Sequence, residues 1–139
     1  MTIMNDIRAC LDNHLATMTS PPTIAWRNIH FTPALSQTYV IPDLVPTARR
    51  PAVRGLNPQQ RYDGIYSILV CTPEGLGPGA GYDVVDQLLP RFEATTDIAY
   101  SNPTGTSLIV SLEYAEVGTS FLDAPYYCTP VNIGWYLYH

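Results

Sequence analysis

The residues that could do covalent or metal chemistry in this chain are three histidines, three cysteines and a scatter of carboxylates, and their spacing favours neither chemistry. His14, His30 and His139 lie in a predicted helix, a predicted strand and the terminus. No H-x-x-x-H or H-E-x-x-H turns two imidazoles toward one metal. Cys10, Cys71 and Cys128 are odd in number and share no C-x-x-C, so neither a zinc site nor a disulfide framework is expected. They lie in apolar stretches and read as buried thiols of a reducing compartment. No G-x-S-x-G elbow presents a nucleophile, since Gly105-Thr106-Ser107 and Gly118-Thr119-Ser120 both lack the second glycine. Asp83 with Asp86 is explained by a helix start, and Glu113 with Glu116 by solvent-facing positions near a strand end. Local spacing does not decide whether two distant acids meet in space. Gly75, Gly77, Gly79 and Gly81 are spaced G-x-G-x-G-x-G, with no G-K-[ST] after them and no cation in the ten residues before Gly81. That is a connector and not a phosphate cradle. No catalytic, cofactor-binding or metal residue is expected, and the chain is not read as an enzyme.

Recognition is the chemistry that remains. All seven cations are arginine, and the planar, bidentate guanidinium suits carboxylates at partly buried interfaces. Gene base composition explains the absence of lysine equally well. Ten tyrosines against three phenylalanines point the same way, because Tyr and Arg are enriched at protein interfaces and Lys is depleted. A β-rich fold is the competing explanation. A net charge of −5 disfavours a free DNA-binding protein. Only 14% of residues are charged and 46% are hydrophobic, which excludes global disorder. No basic region followed by an apolar run opens the chain, and no apolar stretch approaches the ~18 residues of a membrane span. A soluble, cytoplasmically made product is expected.

The positioning elements follow from periodicity. Residues 3–18 place Ile3, Ile7, Cys10, Leu11, Leu15 and Met18 on one face of a helix that Ser20-Pro21-Pro22 ends. Thr23–Phe31 reads as a strand with two mixed faces, which makes Trp26 and Arg27 candidates for contact with another subunit. Thr38–Leu44 is a second strand, with Pro42 marking an edge or bulge. Residues 45–60 form a long proline-punctuated loop holding Arg49, Arg50 and Arg54. That loop is expected to be mobile in the free subunit and ordered against a neighbour. Ile65–Cys71 is a strand buried on both faces, followed by the glycine turn. A helix then carries Val85, Leu88, Leu89 and Phe92 on one stripe, ending or kinking near Leu89 before Pro90. Asp83 and Asp86 fall in its first turns. Asp97–Tyr100, Thr106–Val117 and Tyr126–Tyr138 are strands, with local strand inside Gly118–Pro125. The order is α-β-β-β-α-β-β-β in a single domain, residues 1–139.

The stretch Ala25-Trp26-Arg27-Asn28-Ile29-His30-Phe31-Thr32-Pro33 resembles the AW.N..F.P signature of the phage tail terminator family. Tyr39–Leu44 with Pro46, Gly64-Ile65, the Pro73–glycine–helix run to Phe92, and Thr129-Pro130-Val131-Asn132-Ile133 are similar to that family in order and spacing. The resemblance implies an α+β fold with a mixed or antiparallel sheet and two helices packed on one face. It implies a structural protein of the virion without cofactor, six copies of which form a ring. That ring caps the tail tube at its head-proximal end and offers the head-joining surface. The implied partners are the chain itself, the tail tube protein and the head–tail connector protein. No membrane and no sequence-specific nucleic acid is implied, although genomic DNA passes through the ring. A head–tail connector, another minor tail protein, or a small-molecule-binding or enzymatic α+β domain are the alternatives. Arg49, Arg50, Arg54, Arg27 and Trp26 are the interface candidates.

Overall fold

A computed structural model describes residues 3–34, 36–56 and 58–139. Residue 57, within the predicted 45–60 loop, lies outside the described residues. The elements are α1 (Ile3–Ala16), β1 (Tyr39–Pro51), β2 (Gln60–Pro73), α2 (Gly79–Leu88), β3 (Asp97–Ser101), β4 (Ser107–Val117), β5 (Phe121–Asp123) and β6 (Tyr126–Tyr138). All strand pairs are antiparallel, in the order β1-β2-β6-β4-β3, with β5 pairing the start of β6. The fold is α+β, as expected. The element order is α-β-β-α-β-β-β-β, because the predicted 23–31 strand is absent and β5 is added.

Both helices cover one face of the sheet. Alternation along β2 turns Tyr62, Tyr66, Ile68 and Val70 inward, opposite Leu137, Ile133, Val131 and Thr129 of β6. Ile7, Cys10, Leu11 and Leu15 of α1, then Val85 and Leu88 of α2 with Phe92, close over that row as one core. Polar ties fix the helix positions. The Tyr66 hydroxyl donates to Asp12 at 2.5 Å, Cys10 Sγ–H to the Ile98 carbonyl, and Arg91 Nε–H to the His14 carbonyl. α2 ends at Leu88, as the apolar stripe and Pro90 required. Asp83 and Asp86 sit beyond its first turn, since the helix begins at Gly79, so the dipole argument does not apply to them.

Three expectations are corrected. The 23–31 segment makes only one parallel bridge, Ile24 with Val40, and then turns. Asn28 adopts φ 59°, a left-handed geometry that Asn tolerates, and Ile29 N–H closes the turn on the Trp26 carbonyl. β2 is fully buried on one face, while on the other Ile65, Ser67 and Leu69 are half-buried and only Cys71, near the strand's end, is buried. The predicted loop begins as strand, because β1 continues through Pro51 past a bulge between Pro46 and Ala48.

The prolines explain why that strand was hidden. Val40 sends its N–H and C=O outward to Thr23 and Ala25, while Ala52 N–H bonds Gln59 across the hairpin. Counting alternate residues from these anchors and allowing for the bulge puts Pro42, Pro46 and Pro51 on the outward row. A missing N–H costs nothing there, since β1 is an edge strand.

Candidate functional site

The candidate residues occupy two places. The distal β1–β2 hairpin forms an arm beyond the bulge, and its tip exposes Val53, Arg54 and Leu56, the last at 96%. A fully exposed leucine on a turn is a large apolar group with no fold-stabilising role, the kind of group that anchors an interface. Arg49 and Arg50 are neighbours in sequence but leave the strand on opposite faces. Arg49 Nε–H donates to the Tyr62 hydroxyl at 2.8 Å on the helix side, and its guanidinium lies 5.4 Å from the ring centre. Arg50 reaches the opposite face and pairs Asp63 at 3.1 Å. Arg54 is exposed at the tip and makes no ion pair among the described residues. The structure therefore separates the three arginines instead of gathering them.

Trp26 and Arg27 lie elsewhere, on a cleft of about 620 Å³ between α1 and β1. Met4, Trp26, Ile29, Pro42 and Leu44 give it apolar walls, while Arg8 with Asp12 and Arg27 with Asp43 supply charge. The Arg27–Asp43 pair is loose, at 3.7 Å with both groups exposed, so it contributes little stability. Asp12 is held above the usual carboxylate range by burial, opposed by the Tyr66 hydrogen bond and Arg8. The charges cancel in pairs, so the cleft has no field to draw a small ion. No group of three or more metal-ligating side chains gathers among the described residues.

The side chain that sequence reading missed is Arg61. It lies on the sheet face that no helix covers and is the hub of that face. Its guanidinium donates to Asp63 at 3.3 Å, to Glu113 at 2.9 Å and to the Tyr138 hydroxyl at 3.0 Å. It also lies 4.4 Å from the Tyr136 ring centre. The Tyr138 hydrogen bond leads the interactions that push Arg61 above the ordinary guanidinium range, against the opposing cost of burial. Arg61-x-Asp63 and Tyr136-x-Tyr138 each fall on one face of a strand, so the pattern was present in the sequence. The register Arg61 opposite Tyr138 and Asp63 opposite Tyr136 joined the two motifs. Further along the same face, the Tyr114 ring fills the space above Gly134, where a Cβ would come within 2.2 Å of it. The result is an aromatic, arginine-pinned surface, bordered at Tyr136, Tyr138 and Ile109 by an open cleft of about 530 Å³.

A family model described as phage tail terminator protein matches residues 6–135. The chain belongs to the phage tail terminator family. It is accordingly a structural protein of a phage tail, located in the tail of the virion. Among matching solved structures, one superposes with a TM-score of 0.72 at 20% identity, covering 96% of this chain and 94% of its own, which supports the fold. No curated protein sequence is significantly similar. In this tail terminator family member, the matched region spans the arm and Arg61, Asp63 and Glu113 of the helix-free face, and ends just before Tyr136 and Tyr138. No helix is long and apolar enough to cross a membrane among the described residues.

Proposed function

We propose that the protein is the subunit of a ring, six copies in circumference, that ends the tail tube and presents the surface to which the head joins. The observation that carries this reading is the family match over nearly the whole chain. The surfaces agree with an assembly role. The arm tip offers Val53 and Leu56 to a neighbouring subunit or the tube, and Arg54 brings an exposed guanidinium that can engage a carboxylate bidentately. The arm is β-paired through Pro51 with Gln60, which leaves only its tip to be ordered against a neighbour. Trp26 and Arg27 border a cleft wide enough to take an apolar side chain from a neighbour. The ring binds itself, the tail tube protein and the head–tail connector protein, and it sits at the head-proximal end.

Charge supports a conduit. Six copies at −5 each carry about −30, so DNA passing through the ring slides instead of sticking. The decisive experiment is genetic. Phage lacking this protein are expected to make full heads that remain unjoined and tails of abnormal length. Null-mutant tails of normal length, joined to heads, would refute the proposal.

A further inference from the structure

Cys71 and Cys128 stand directly opposite each other on the two central strands, β2 and β6. Gln60 and His139, at the far end of the same ladder, exchange both backbone hydrogen bonds. Antiparallel pairs alternate between bonded and non-bonded, and the cysteines lie an odd number of positions further on, so theirs is a non-bonded pair. Cα atoms of such pairs are about 4.5 Å apart, inside the range of disulfide-linked cysteines. The two sulfurs are already in contact: Cys128 Sγ–H donates to Cys71 Sγ at 3.0 Å. Both are free thiols, buried to 2% and 1% exposure. We propose that this pair is an oxidation site, closing to an intramolecular cross-strand disulfide when the protein meets hydrogen peroxide, while Cys10 stays reduced.

The surroundings define the chemistry. Tyr39 sits opposite Cys71 on β1, its ring packed against Tyr126 and Phe31, and Phe121 of β5 lies opposite Cys128. This cover admits a small oxidant more readily than a bulky disulfide. Burial pushes both thiols up, Cys71 the further of the two, and Asp123 on β5 adds to the rise. Thiolate is therefore scarce at neutral pH, and the reaction is slow in the closed state. In the first step one thiolate attacks a peroxide oxygen and the O–O bond breaks. The departing hydroxide takes up the proton that the thiol lost, forming water and leaving a sulfenic acid. The facing sulfur then attacks the sulfenic sulfur and displaces hydroxide, which leaves as the second water with the second thiol's proton. Two thiols are oxidised, one peroxide is reduced to two waters, and one S–S bond forms. Among the described residues no contact joins Cys10 to another cysteine; its thiol faces the Ile98 carbonyl and is pushed up to about 11 by burial.

The closed link ties the sheet at the end away from the arm and bridges a long loop of chain, so oxidised protein should melt ~5–10 °C higher. The inference is independent of the tail assignment. It is tested by treating the native protein with hydrogen peroxide until Met4, a partly exposed methionine, is sulfoxide, then denaturing, alkylating and digesting with trypsin. The cleavage sites put each cysteine on its own peptide: Ala9–Arg27, Tyr62–Arg91 and Phe92–His139. The expected product is monomeric, with the second and third peptides linked and Cys10 alkylated. The link should vanish in Cys71→Ser and Cys128→Ser and persist in Cys10→Ser. If either single variant fails to fold, the wild-type peptide map alone decides. Cys71 and Cys128 recovered as alkylated thiols or sulfinic acids, or a link through Cys10 or between chains, would overturn the proposal.

Discussion

Gly64 leaves no room for a methyl group. A Cβ there would fall 2.5 Å from the Val45 carbonyl oxygen and 2.7 Å from the Trp135 ring, at the point where β1 starts to bulge. Gly64→Ala must displace backbone or the largest core side chain, and is expected to cost ~1–3 kcal/mol. Chemical denaturation should show a lower midpoint, and an unchanged midpoint would mean that the crossing relaxes freely. His14 gives a second residue-scale prediction. Burial lowers its pKa from 6.5, while its Nε2 lies 2.7 Å from the Arg91 carbonyl and its ring meets Phe92 edge-on. The unfolded imidazole therefore takes up a proton at higher pH than the folded one. Stability contributed by neutral His14 is present above about pH 6.5 and falls as pH drops below it. Melting temperatures measured between pH 7.5 and 5.5 should decline, and His14→Gln should flatten that decline. Asp12 acts in the opposite sense in a more acidic window, because its folded pKa is raised from 3.8 and its protonation favours the fold.

At the scale of elements, the arm is where function and folding separate. Leu56→Ser and Arg54→Glu change exposed groups at the tip, so each should alter stability by no more than ~0.5 kcal/mol. Combined, they should leave the monomer folded by circular dichroism yet unable to join tails. Normal incorporation of the folded double variant would assign the tip to solvent. The sequence made the helices and the last strand legible, because their apolar residues recur at 3.6 and 2 residues. It hid the distal half of β1, because Pro46 and Pro51 read as loop punctuation until the hydrogen-bond parity shows them facing outward. Trp26 to Phe31 misled in the other direction. Its alternation suggested a strand, yet Asn28 takes a left-handed turn that carries Ile29 outward to 65% exposure.

For the whole molecule, the sheet divides the labour. One face is closed by both helices around Tyr66 and Trp135, and the other is left to tyrosines pinned by Arg61. The edge strand β1 carries its prolines outward and so resists strand addition, which directs any copy-to-copy contact toward side chains or toward the far edge. Of the site, the sequence disclosed the residue types, since the arginine and tyrosine bias already pointed to recognition instead of catalysis. It could not disclose that Arg49 and Arg50 part to opposite faces, or that Arg61 joins motifs 75 residues apart, because both depend on strand register. The central claim is a ring at the head-proximal end of the tail. Negative-stain electron microscopy of purified tails, with the protein labelled by a bound antibody, tests it directly. The account predicts a ring of six copies with an axial hole, labelled at one end only, the end that joins the head. A single copy, label along the tube, or label at the opposite end would contradict it.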